Sequence, residues 1–143
     1  DNYHYLTDEQ TKLAEKLLSS RLVSEHIESV KQGHLAHGDY SLEHILFHKS
    51  FYSGVIDFGD AKIAERGYDL SYFKIKHRDY YEFLHAGYLS MGRAEQEVEI
   101  DVSGFLVGIR ILSSAARNSQ SEKNTENKLL KAFLEQLHIV AKI

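Results

Sequence analysis

At 143 residues the chain has room for one domain with a real core and is too short for a two-lobed enzyme. Its 17 Lys and Arg are scattered among 21 Asp and Glu, for a net charge of −4, which argues against nucleic acid as a ligand and suits a small, cationic molecule. Cysteine is absent, so there is no disulfide framework, thiolate zinc site or cysteine nucleophile, and the longest apolar run, Gly104 to Ile109, is too short to span a bilayer.

Thr7-Asp8-Glu9-Gln10 has the spacing of a capping box, and Leu13, Leu17 and Leu18 follow at helical period, so a helix is expected over residues 8–19. Val23, Ile27 and Val30 repeat that period, with Gly33 placed to close the second helix in a left-handed cap. Strand-like segments come next at 34–36, 44–47 and 53–56, with Lys49-Ser50 as the turn joining the last two. From Tyr68 onward the pattern is helical. Asp69 reads as the N-cap of the first such helix, and residues 80–89 carry Tyr81, Leu84 and Tyr88 on one face. A connector at 91–94 leads to the acids Glu95, Glu97, Glu99 and Asp101. An apolar helix is expected at 103–117 with Phe105, Ile109, Leu112 and Ala116 in register. A polar, loop-like stretch at 118–127 and a last helix at 128–141, burying Leu130, Phe133, Leu134 and Leu137, complete the chain.

Polar chemistry concentrates between His37 and Asp60. Asp39 follows a glycine, which permits the tight turns of reaction-centre loops; His44 comes five positions after it, and Asp57-Phe58-Gly59 begins eighteen after it. Alone, Asp39 reads as a turn aspartate. Together with Ile56-Asp57-Phe58-Gly59-Asp60 it reads as phosphotransfer chemistry, where a base aspartate is followed five residues later by a metal ligand and then by an Asp-Phe-Gly aspartate. A hairpin would bring His44 and Asp57 together at its open end. Asp57 can give magnesium one hard oxygen, with Asp60 as a further ligand or a support for the site.

His37-Gly38-Asp39, His44, Val55-Ile56-Asp57-Phe58-Gly59-Asp60 and Tyr68-Asp69-Leu70 resemble the motifs of the aminoglycoside phosphotransferase and choline kinase-like family, and Ser41 after Tyr40, with His at 44, resembles the aminoglycoside 2''-phosphotransferase branch. The resemblance implies an α+β, mainly helical fold, the C-terminal lobe of a protein-kinase-like enzyme, with a small β-hairpin carrying the catalytic and metal-binding loops. Residues 1–143 would form that single domain. The N-terminal nucleotide lobe, with its glycine-rich turn and strand lysine, would lie outside the chain, which starts at Asp1 without Met or leader and reads as a piece of something longer that transfers phosphate poorly alone. Carried over by position, the family implies Asp39 as catalytic base, His44 and Asp57 as metal ligands and Asp69 as a structural carboxylate bracing the catalytic loop. Mg2+ and ATP or GTP are the implied cofactors. Imidazole in place of the family's Asn amide leaves two readings: a site more tolerant of Mn2+, which is favoured, or a degenerate one.

The implied acceptor is a hydroxyl of a small molecule, an aminoglycoside first, with homoserine, choline, a thiosugar or a fructosamine sharing the same core. A non-catalytic helical binding module is the rival. No substrate-binding residue is assigned, since the acids at Glu82, Glu95, Glu97, Glu99 and Asp101 read as a solvated face ahead of a surface for a polycationic substrate. Cytoplasmic location, no membrane and no nucleic acid complete the expectation. His77-Arg78-Asp79 follows Asp-Phe-Gly instead of preceding it, and reads as an exposed helix start.

Overall fold

The computed structural model describes residues 6–92, 97–117 and 123–143, with the side chains of residues 32, 115–117 and 123–127 excepted. The chain is a mainly helical α+β protein. Helix α1 (Asp8–Leu18) starts at the capping box: Gln10 N–H donates to the Thr7 hydroxyl at 3.2 Å, and Thr7 N–H to the Gln10 side-chain oxygen at 2.9 Å. Helix α2 (Arg21–Ser29) is capped by Ser20 and runs into one tight 3-10 turn, Val30–Gln32. Gly33 then sits in extended backbone (φ −65°), not in the left-handed cap expected of it. Its missing side chain serves a close approach instead, because a Cβ there would lie 2.7 Å from the carbonyl oxygens of Val30 and Ala64.

Four short strands follow: β1 (His34–Ala36), β2 (Ile45–His48), β3 (Phe51–Val55) and β4 (Lys62–Ala64). They form two antiparallel pairs, β1 with β4 and β2 with β3. Lys49 (φ 48°) and Ser50 (φ 67°) make the two-residue turn of the hairpin, with the positive φ values that match its twist. Strand β4, absent from the sequence reading, closes the ribbon that places residues 37–44 against residues 56–60.

Four helices complete the described fold: α3 (Tyr68–Lys76), α4 (Arg78–Ser90), α5 (Glu97–Arg117) and α6 (Lys123–Val140). Helix α5 begins six residues before the expected Ser103, so Glu97, Glu99 and Asp101 lie in its first turns. Helix α6 begins at Lys123, so residues 123–127 are helical and not loop. Residues 93–96, which include Glu95 and the end of the expected connector, and 118–122 of the expected polar loop lie outside the described residues, as does the side chain of Ala116.

The core forms where α5 meets α6. Phe105 stacks on Phe133 at 6.0 Å, and Val102, Leu137 and Val140 fill in around them, with Val23 of α2 and Ala14 of α1 at the margin. Each such fully buried side chain contributes about 1.5–3 kcal/mol. Helix α3 lies on α5 through Tyr72, Ile75 and Val107, and Leu70, Tyr81 and Ile100 join α3, α4 and the start of α5. The outcome that matters for function is that α3 is held rigidly, with one face turned to the loop at 37–44.

A polar network ties α2 to α5. His26, buried, meets the Ser103 hydroxyl at 2.9 Å, and Ser103 lies 3.3 Å from the Glu65 carboxylate. Burial alone would raise the Glu65 carboxyl, but hydrogen bonds from His26, its own backbone and Ser103 outweigh it and hold the group below its ordinary value. A carboxylate depressed in the folded state stabilises above its unfolded pKa, about 4.3, and loses that stabilisation as the pH falls through the folded value. Glu65→Gln is expected to lower the melting temperature at pH 7 and to flatten its fall between pH 5 and pH 3. Parallel melting curves for variant and wild type across that range would contradict the assignment.

Candidate functional site

The loop after β1 is fastened by its backbone. The Asp69 carboxylate accepts from His37 N–H at 2.8 Å and from Gly38 N–H at 3.0 Å. Asp69 is therefore not the N-cap of α3, a place taken by Gly67 in left-handed backbone (φ 79°); its oxygens are engaged across the fold instead. His37 is buried, and its Nε2–H donates to the Ile56 carbonyl at 2.8 Å. The carbonyl can only accept, so Nδ1 carries the lone pair that receives Asp39 N–H at 3.3 Å. One imidazole thus fastens the end of the hairpin to the residue bearing the candidate base. Further along, Leu42 N–H donates to His77 Nε2 at 3.1 Å. Helix α4 does start at Arg78, as expected, but His77 is not the exposed surface group foreseen for it: its side chain is only 14% exposed and supports the loop.

Glycine 38 is the contact point between the two acidic segments. It has φ +88°, and a Cβ on it would lie 2.0 Å from the Asp60 carbonyl oxygen. Only glycine lets residues 37–39 and 57–60 approach this closely.

Asp39 presents its two oxygens to different neighbours. Oδ1 lies 3.4 Å from Lys76 Nζ and Oδ2 3.9 Å from His44 Nδ1, and Lys76 Nζ in turn stands 5.1 Å over the Tyr72 ring. Partial burial would raise this carboxyl, yet Tyr72, Lys76 and His44 together hold it below its ordinary value, so it is ionised at neutral pH. Tyr72 is pushed well above the ordinary phenol range by burial and by Asp39, which keeps it a donor.

His44 and Asp57 meet at the open end of the hairpin, where Ile56 N–H donates to the His44 carbonyl at 3.0 Å. The His44 Nδ1–H donates to the Asp39 carbonyl oxygen at 2.9 Å, so in a neutral ring Nε2 carries the lone pair. That nitrogen stands 3.6 Å from Asp57 Oδ2. A lone pair facing a carboxylate is repulsive unless a proton or a metal cation lies between them. The donor set, one imidazole nitrogen and one carboxylate oxygen, therefore fits a divalent ion whose remaining positions are filled by phosphates and water. Among the described residues no three His, Asp or Glu side chains converge as a ready-made cage. Asp57 is in addition one of the few non-glycine residues with positive φ (64°), a strained conformation of the kind that clusters at working sites. Asp60 turns its carboxylate elsewhere, to Arg110 at 3.6 Å.

Two of the acids weighed for a cationic substrate, Glu97 and Asp101, are engaged on the other side of α3. Lys74, two residues from both Tyr72 and Lys76, bonds Glu97 at 3.0 Å and Asp101 at 2.9 Å, and Gln136 donates to Asp101 as well. Tyr72 and Lys76 were not singled out from sequence, and His77 was read only as part of an exposed helix start. The only trace available there is that Tyr68, Tyr72 and Lys76 recur every fourth residue, which puts them on one helical face.

No curated protein and no solved structure matches the chain. Among the described residues no helix is long and apolar enough to cross a membrane. A family model, described as the phosphotransferase enzyme family (APH), matches residues 2–97, about two thirds of the sequence, from ahead of α1 through the whole loop cluster to the first residue of α5. The segment matched carries every residue of the cluster built around Asp39, His44 and Asp57, and the chain belongs to that family of phosphotransferase enzymes.

Proposed function

We propose that these residues form the catalytic centre of an ATP- or GTP-dependent phosphotransferase that phosphorylates a hydroxyl of a small molecule. The observation that carries this reading is the arrangement at Asp39: an ionised carboxylate with the His44–Asp57 pair beside one oxygen and Lys76 beside the other. In this reading the chain is the C-terminal lobe of a kinase-like enzyme and the nucleotide lobe lies outside the 143 residues.

The acceptor hydroxyl donates to the Asp39 carboxylate, which orients its oxygen toward the γ-phosphorus. As the new O–P bond forms, the bond to the β,γ-bridging oxygen breaks, nucleoside diphosphate leaves, and the hydroxyl proton passes late to Asp39. A base held below its ordinary value suits a loose transition state, in which positioning counts for more than proton abstraction. His44 and Asp57 would hold Mg2+ or Mn2+, which supplies charge neutralisation on the phosphate oxygens. Asp69 and His37 keep the loop fixed from behind, and Asp60 supports it through its contacts with Gly38 and Arg110.

An aminoglycoside acceptor, with its link to antibiotic resistance, rests on the motif resemblance alone, with Ser41 and His44 as its closest marks. The test is transfer from Mg-ATP or Mg-GTP to a panel containing aminoglycosides, choline, homoserine, a thiosugar and a fructosamine. Asp39→Asn is expected to fold, with a melting temperature at pH 7 slightly below that of the wild type because it gives up the pairing with Lys76, and to lose about 10³-fold in rate. Full transfer by that variant would contradict the role of Asp39, and absence of any transfer by the wild type joined to its nucleotide lobe would favour a non-catalytic binding module.

A further inference from the structure

The face of α3 that holds Asp39 continues into a cluster of cations. Tyr68, Tyr72 and Lys76 form one stripe along the helix. At its far end Lys62 Nζ donates to the Tyr68 hydroxyl oxygen at 2.7 Å, and Arg110 Nη1 donates to the same oxygen. Two cations thus share a neutral acceptor that cannot balance their charge. Arg110 has a partial counter-ion in Asp60, 3.6 Å away and largely exposed, while Lys62 pairs with no carboxylate among the described residues. Lys76, at the other end of the stripe, adds a third cation.

The stripe begins at the Asp39 oxygen turned from the proposed phosphate-binding pair, since Oδ2 faces His44 and Oδ1 faces Lys76. That is therefore the side from which an acceptor would come. Lys76, which bonds Asp39, also stands 5.1 Å over the Tyr72 ring, and Tyr68 lies one helical turn further along the same face, so the cation pair gathers at the turn of α3 next to the one beside the base. An ammonium group arriving here would meet Lys62, Lys76 and Arg110. A carboxylate or phosphate would complete them, with the bidentate fit that favours arginine.

We propose that Lys62 and Arg110 form an oxyanion subsite for the acceptor, so that the molecule phosphorylated carries a carboxylate or phosphate about one helical turn from its reacting hydroxyl. The proposal rests on the phosphotransfer reading for the word acceptor; the anion preference itself stands on the cation cluster. A matched series of probes tests it on the chain as described: 4-hydroxybutyrate, 1,4-butanediol and 4-amino-1-butanol have the same carbon chain and hydroxyl and differ only in the charge at the far end. Binding is followed by the shifts of the Arg110 Nε–H and Lys62 side-chain resonances. The anion is expected to bind about tenfold more tightly than the diol and more tightly still than the amine, and to lose about tenfold in Arg110→Gln and in Lys62→Gln, with Arg110→Lys partly restoring it.

Equal affinity across the three probes, preference for the amine, or wild-type binding in both Gln variants overturns the proposal. Inorganic triphosphate with Mg2+ separates the two sources of an oxyanion. If it leaves 4-hydroxybutyrate bound, the subsite belongs to the acceptor; if it displaces the probe competitively, the cations serve the phosphate donor and the proposal fails. Selective anion binding by the chain, without any phosphate transfer once it is joined to its nucleotide lobe, would fail the phosphotransfer reading alone, and transfer by that longer protein without anion preference would fail the subsite alone.

Discussion

Asp57→Gly is expected to yield a protein about 1 kcal/mol more stable than the wild type that transfers phosphate about 10³-fold more slowly. The stability gain comes from the backbone. Asp57 sits at φ 64°, ψ 62°, where a residue with a Cβ gives up about 1–2 kcal/mol, whereas glycine adopts that conformation freely. Glycine returns part of this, about 0.5–1 kcal/mol, through the greater freedom of the unfolded chain, so the net gain is the smaller figure. Activity falls because the substitution removes one of the two donors that face each other at 3.6 Å and with it the charge that would hold a divalent ion beside Asp39. Urea denaturation and a phosphotransfer assay on the same preparations check both halves. A variant that is less stable than the wild type, yet active, would mean that the left-handed aspartate is a structural turn with no part in the chemistry.

Gly38→Ala acts in the opposite direction on stability. A methyl group at this position would stand 2.0 Å from the Asp60 carbonyl oxygen and 2.7 Å from its carbon, both backbone atoms that cannot rotate away, and at φ +88° the alanine would be strained even in open space. The expected cost is about 3 kcal/mol or more. Relief by separation of residues 37–39 from residues 57–60 moves Asp39 away from the His44–Asp57 pair, and a displacement near 1 Å is enough to reduce the rate about 10²-fold. Thermal unfolding and residual transfer at a temperature where the variant is still folded read the two effects separately. Wild-type stability in Gly38→Ala would show that the two acidic segments do not meet here.

Much of the centre was legible because its chemistry is local in sequence. His37-Gly38-Asp39, His44 and Asp57-Phe58-Gly59 lie within two dozen residues, and the Lys49-Ser50 turn that folds them together has the length of a two-residue hairpin loop. The Thr7–Gln10 capping box is likewise a matter of neighbours. What sequence did not disclose depends on tertiary placement. Asp69 looks like an N-cap by composition, but its oxygens go to His37 and Gly38 because β1 brings those N–H groups above α3. Gly33 looks like a helix terminator, but the constraint on it comes from β4, thirty residues away. Strand β4 itself is three residues long and carries too little alternation to register. The acids from Glu97 read as a solvated charge run, whereas two of them clasp Lys74 from within a helix that starts earlier than its apolar face suggests. Tyr72, Lys76, His77 and Arg110 reach the loop cluster only once α3 and α5 are docked, and nothing in their local sequence marks them.

The central claim, that Asp39 and the His44–Asp57 pair form one metal-assisted transfer centre, is tested most directly by paramagnetic broadening. Adding substoichiometric Mn2+ with ATP to isotopically labelled protein is predicted to broaden the backbone resonances of His44, Asp57 and then Asp39 before any others, and Asp57→Asn is predicted to abolish the effect. Broadening centred on the acids at Glu97, Glu99 and Asp101, or an undiminished effect at His44 in the Asp57→Asn protein, would contradict it.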